Sequence, residues 1–222
     1  MAHFLTLPMD AFCGGFFLLT AIGIVSTRQM LACLRLFVAQ ALFLALAAVL
    51  IGVELGSGDL VAVAVITLIT KVIAIPWVLR YSLGGEIYDR REIDQALSIP
   101  VSLLISLGLI LFSYFVATPM VTAVGQPFTN INLPIGIAGL VLGAFTVTVR
   151  REAIAQLMGL LAMENGVFFA SISIVPRLPV IAEISAAIDV PVMSLIIGLL
   201  VRQINRRVGS TAVGTMAALR EE

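Results

Sequence analysis

Seven long apolar runs, residues 9–26, 30–53, 60–79, 99–124, 133–149, 153–175 and 180–201, occupy most of this chain. Each approaches the about 20 residues that a helix needs to cross the hydrocarbon layer of a bilayer. Inside lipid every backbone N–H and C=O must be paired within the segment, so runs of this length leave the helix as the spanning form. The sequence therefore predicts an all-α, polytopic integral membrane protein of about seven transmembrane helices. With 60% hydrophobic and 12% charged residues the chain is far from a soluble domain, and 13 basic residues balance 13 acidic ones. That balance gives no support to nucleic-acid binding or to disorder. Before the first run only His3 is titratable and no basic stretch precedes it, so this run reads as a retained helix rather than a signal peptide.

The arginines orient the helices. The connections after helices one, three and five and the C-terminal tail carry Arg28, Arg80, Arg90, Arg91, Arg150, Arg151, Arg202, Arg206, Arg207 and Arg220, whereas the other side carries Arg177 beside Glu54 and Asp59. Cytoplasmic loops collect Lys and Arg. The expected topology is N-terminus out and C-terminus in, within the cytoplasmic membrane of a prokaryote. Three regions follow: a four-helix part over residues 1–124 with a cytoplasmic loop at 81–98, a three-helix part over 125–207, and a tail over 208–222. In the loop, Ile87, Ile93 and Leu97 could form a weak apolar stripe on an interfacial helix, read either as a solvated loop helix or as a docking point for a soluble partner. Cys13 and Cys33 fall toward opposite faces, too far apart for a disulfide, and are expected to be buried free thiols.

Composition restricts the chemistry. One histidine and two cysteines do not make an iron–sulfur or zinc site, and no glycine-rich nucleotide cradle is present. No cofactor and no metal is expected in this chain, and any redox centre belongs to a partner. A titratable group at the bilayer centre costs at least about 2.5–3.5 kcal/mol, so each one asks for a partner or a purpose. Lys71, Glu164 and Asp189 sit near the middle of runs three, six and seven. Facing one another, they would form a polar axis along which a lysine between carboxylates exchanges protons. Pro76 and Pro191 would free the carbonyls of Val72 and Ala187 next to two of these charges, and Gln156, Asn165 and Ser185 add polarity. A static ion pair that only holds helices together is the competing reading of the trio.

The segments RREAIAQLMGLLAMENGVFFA, residues 150–170, and ITKVIAIP, residues 69–76, resemble the hydrogenase-4 component E family, with similar helix order over nearly the whole chain. That resemblance implies a membrane subunit of a group 4 [NiFe]-hydrogenase or formate hydrogenlyase complex, a relative of respiratory complex I. The last three helices are also similar to the small K-type subunit of complex I and the C-type subunit of multi-subunit Na⁺/H⁺ antiporters. By resemblance, Asp189 stands where the second membrane carboxylate of the K-type subunit would be. The first falls at Leu161, with Glu164 three residues later. The implied partners are antiporter-like and H-type membrane subunits together with soluble [NiFe]-hydrogenase-like and iron–sulfur subunits. The expected function is a non-catalytic subunit of an oxidoreductase complex, contributing to proton or Na⁺ translocation. A membrane scaffold for the soluble arm and an autonomous secondary transporter are the alternatives, the latter disfavoured because no internal repeat is visible.

Overall fold

The computed structural model describes residues 3–83 and 93–174. These residues form helices α1 (His3–Ser26), α2 (Met30–Leu55), α3 (Gly58–Thr67), a π-helical segment (Leu68–Ala74), α4 (Ile75–Leu83), α5 (Ile99–Val124), α6 (Pro127–Val149) and α7 (Ala153–Ile174). Because α3, the π segment and α4 run on as one rod, the described residues contain six helices long and apolar enough to cross a membrane. The protein is an all-α, multi-pass membrane protein. The seventh run, with Ser185, Asp189 and Pro191, lies outside the described residues, as do the tail 208–222 and Ile87.

Local chemistry sets the helix ends. Gly56 and Gly125 close α2 and α5 at φ 61° and 67°, a left-handed backbone that glycine adopts without a Cβ penalty. Pro100 and Pro127 occupy the first turns of α5 and α6, where a missing N–H costs nothing. Two helices start earlier than the apolar runs suggest. Helix α6 begins at Pro127 rather than at 133 and carries Pro134 inside it, while α1 runs back to His3 through Pro8. Polar residues near those starts masked the helices in the sequence, yet Thr129 and Asn132 are buried against neighbouring helices rather than looped out.

Helices α6 and α7 form the tightest pair, with α1 and α2 packed beside them. The turn at Gly125 that separates the two sequence regions is a tight connection inside one bundle, since α6 packs on α1 across it. Glycines permit the α6–α7 approach: a Cβ at Gly136 would collide with the backbone of Ala170, one at Gly143 with Met163, and one at Gly166 with Leu140. Without a hydrophobic driving force between helices in lipid, such close backbone packing is a main source of association. Helix α5 stands at the edge. It turns Ser102, Ser106, Ser113 and Ala117 inward, while Leu104, Leu111 and Phe115 are exposed, as on a lipid-facing surface.

Among the described residues, the connections after α1 and α6 and residues 93–98 meet at one end of the bundle. Arg150 is buried and its Nη2 donates to the carbonyls of Ile24, Val25 and Thr27, the unpaired acceptors at the end of α1. Burial lowers the pKa of this guanidinium, Cys33 and Glu152 oppose the shift and Arg28 adds to it, and an arginine stays charged throughout. Residues 93–98 lie across the same end without helical structure. The Ile93 N–H donates to Arg28 O at 2.7 Å and the Ala96 N–H to Val149 O at 3.0 Å. Here the interfacial-helix expectation for Leu97 and Ile93 gives way, because Ile93 is buried in the core beside Met30 and Leu79. Arg151 pairs with Asp94 at 3.6 Å. Cys13 and Cys33 are buried free thiols, as expected.

Candidate functional site

Lys71 is buried in the middle of the π-helical segment. A π turn inserts one extra residue and rotates the following side chains relative to an α-helix, an arrangement that recurs at functional sites. Pro76, which cannot donate a ladder hydrogen bond, stands just beyond the segment, and the Ile75 N–H reaches back five residues to Thr70 O. The Thr70 hydroxyl adds a bond to Ile66 O at 2.8 Å. Proline therefore marks the irregular stretch that carries the lysine, as its position in the sequence suggested.

Across the bundle, α7 presents Glu164 and, one turn on, Phe168. The Lys71 ammonium lies 3.1 Å from Glu164 Oε1 and 4.2 Å from the centre of the Phe168 ring. One cation is thus held between a carboxylate and a π face, the two groups that attract it most in an apolar surrounding. The side chains are unequally covered, at 3% exposure for Lys71 and 22% for Glu164. Of the two groups, the carboxylate is the more accessible.

Asn165, next to Glu164, is fully buried and donates its Nδ2 to Gln40 Oε1 on α2 at 3.2 Å. This clasp fixes the rotation of α7 and with it the direction of Glu164. Gln156 serves elsewhere: its Nε2 donates to Arg150 O at 2.9 Å, which ties it to the arginine end rather than to Glu164. Leu161, the position aligned by resemblance with a carboxylate, is packed in the apolar core. Of the sequence-derived residues, the structure brings together Lys71, Glu164, Asn165 and Pro76, and separates Gln156 from them. Asp189, Ser185 and Pro191 lie outside the described residues.

One buried acid escaped the sequence reading. Asp10 of α1 is fully buried and accepts a hydrogen bond from Asn132 Nδ2 of α6 at 2.8 Å. Nearby Thr129 Oγ1 donates to Ser173 O at 2.6 Å. The signal was available, since an aspartate within the first apolar run invites the question asked of Lys71. A second polar level therefore joins α1, α6 and α7, nearer the end remote from the arginines.

No family model matches this chain, and no solved structure matches it. It is similar to the uncharacterized protein Rv0085 of Mycobacterium tuberculosis, with 29% identity over 211 residues that span 95% of each chain. The match thus runs along nearly the whole length of both sequences.

Proposed function

We infer that this protein is a non-redox membrane-arm subunit of a complex I-like hydrogenase or related respiratory complex, contributing to a proton or Na⁺ path driven by electron transfer in partner chains. The observation that carries the reading is the Lys71–Glu164 pair at mid-depth on a π-helical segment. Proton transfer between a lysine and a carboxylate at this distance exchanges an ion pair for two neutral groups, and a low-dielectric surrounding brings those states close in energy. Motion of a proton along the bilayer plane would use Asp189, in the seventh apolar run of the sequence, as the next carboxylate. The partners in this reading are antiporter-like and H-type membrane subunits and soluble iron–sulfur and hydrogenase-like chains. The lodging is the cytoplasmic membrane.

Solubilising the native membrane in mild detergent and isolating the tagged chain tests the assignment. Co-isolation of large antiporter-like and iron–sulfur subunits is the expected result. A chain that emerges alone and moves ions in proteoliposomes would replace this reading with the secondary transporter.

The arginine end should face the cytoplasm. A cysteine placed at the exposed Ser98, with the buried Cys13 and Cys33 as an unreactive background, should label with an impermeant maleimide in inside-out vesicles only. Ready labelling in right-side-out vesicles would invert the topology.

A further inference from the structure

A groove of about 410 Å³ lies between α2 and the π–α4 part of the third span, on the outside of the bundle. Leu34 and Val38 form one wall and Val72 and Pro76 the other, with Arg35, Trp77 and Arg80 completing the lining. Both arginines and the tryptophan are exposed. Among the described residues no acidic side chain lines the groove, and neither arginine forms an ion pair with any of them. The two helices run antiparallel, so Arg35 near the start of α2 and Arg80 near the end of α4 belong to the same end of the bundle. Arg35 is five residues inside α2, which places its Cα about 7.5 Å below the first residue of the helix. A guanidinium at that depth is costly in hydrocarbon unless an anion or the headgroup layer meets it.

We propose that this groove is a binding site for an anionic phospholipid, with the headgroup phosphate held by Arg35 and Arg80 and an acyl chain laid along Leu34, Val38 and Pro76. Planar guanidinium forks match phosphate oxygens in pairs, whereas the apolar walls offer nothing to a free polar anion. Trp77 suits the boundary between headgroups and chains. Two cations with no acidic partner among the described residues favour a headgroup bearing two phosphates over one bearing a single phosphate. Val72 lines the groove from within the π-helical segment, so the lipid would touch the turn that holds Lys71. Lipid binding is independent of whether Lys71 and Glu164 carry protons.

The purified full-length protein, exchanged into detergent and titrated with phosphatidylcholine, phosphatidylglycerol or cardiolipin under native mass spectrometry, tests the proposal. Wild type should prefer the anionic lipids, cardiolipin most, and should lose much of that preference as ionic strength rises. Arg35→Gln or Arg80→Gln should weaken anionic lipid binding roughly 5-fold, and the double variant roughly 30-fold, at the scale of one basic residue near a membrane surface. Arg151→Gln removes an exposed charge at the same end and should leave affinity unchanged. Equal binding of phosphatidylcholine, a salt-independent preference, or an equal loss in Arg151→Gln would each overturn the site. Displacement of the lipid by inorganic phosphate would mark an anion site in place of a lipid site and overturn it as well.

Discussion

Lys71→Met is expected to lower coupled ion transport per assembled complex by roughly 100-fold, the scale on which loss of a positioned acid–base group is felt. The same substitution takes the ammonium away from Glu164 and puts an apolar side chain in its place. Removing one partner of a buried ion pair costs about 3–5 kcal/mol, and the partial exposure of Glu164 puts the expected loss at the low end of that range. Stability alone therefore does not separate a relay from a clasp. The double variant Lys71→Met with Glu164→Gln does separate them, because it removes both charges and leaves groups of similar size. Its thermal stability should recover most of the single-variant loss while its transport stays at the depressed level. Gradient formation in inverted vesicles and melting in detergent, read side by side, give the answer. Recovery of both properties together would make the pair a structural clasp.

The second large effect concerns packing. Gly166 lies where α7 meets α6 most closely, and any Cβ there meets the backbone of Gly139 and Leu140. Gly166→Val should destabilise the protein by on the order of 4 kcal/mol or more, beyond ordinary overpacking because the obstructing atoms are main chain and have no rotamer to adopt. The readout is loss of the monodisperse peak in fluorescence-detected size exclusion. Gly108, on the lipid-facing edge helix α5, has open space around it, and Gly108→Ala should change stability by no more than about 1 kcal/mol. A Gly166→Val protein that elutes and melts like wild type would mean that α6 and α7 do not approach as described.

What could be read in the sequence follows from which forces act locally. Apolar run length fixed the spans from Met30, Gly58, Ile99 and Ala153 to within a few residues, because lipid enforces one backbone solution. That Lys71 would meet a mid-membrane carboxylate was legible, since a buried charge calls for a partner, but not which of Glu164 and Asp189 it would be. The π turn was not. Pro76 announces an irregularity, but whether the chain kinks or takes an extra residue depends on the packing of the third span against α2. Asp10 was hidden by its place near the start of a run whose first turns look like a loop. Arg150 was legible only as a charge on one side, because its three carbonyl acceptors, two at the end of α1 and one just past it, lie more than 120 residues away. The glycines at 136, 139 and 143 recur at one-turn spacing along α6, the pattern of close helix pairing, and a search for small-residue stripes would have found that contact.

The Arg150 clasp also has a meaning in time. Its acceptor Thr27 precedes it by 123 residues, and a ribosome adding about 5–20 residues per second needs roughly 6–25 s to cover that stretch. Through this interval the end of α1 lacks the guanidinium, although the Gln95 Nε2 that donates to Val25 O is already made before Arg150. Arrival of the turn between α6 and α7 then brings the guanidinium to the end of α1 and the Val149 carbonyl to the strap at residues 93–98. A chain stalled before residue 150 would have the helices α1 and α2 that pack on each other, but not the guanidinium that ties the end of α1 to the turn after α6.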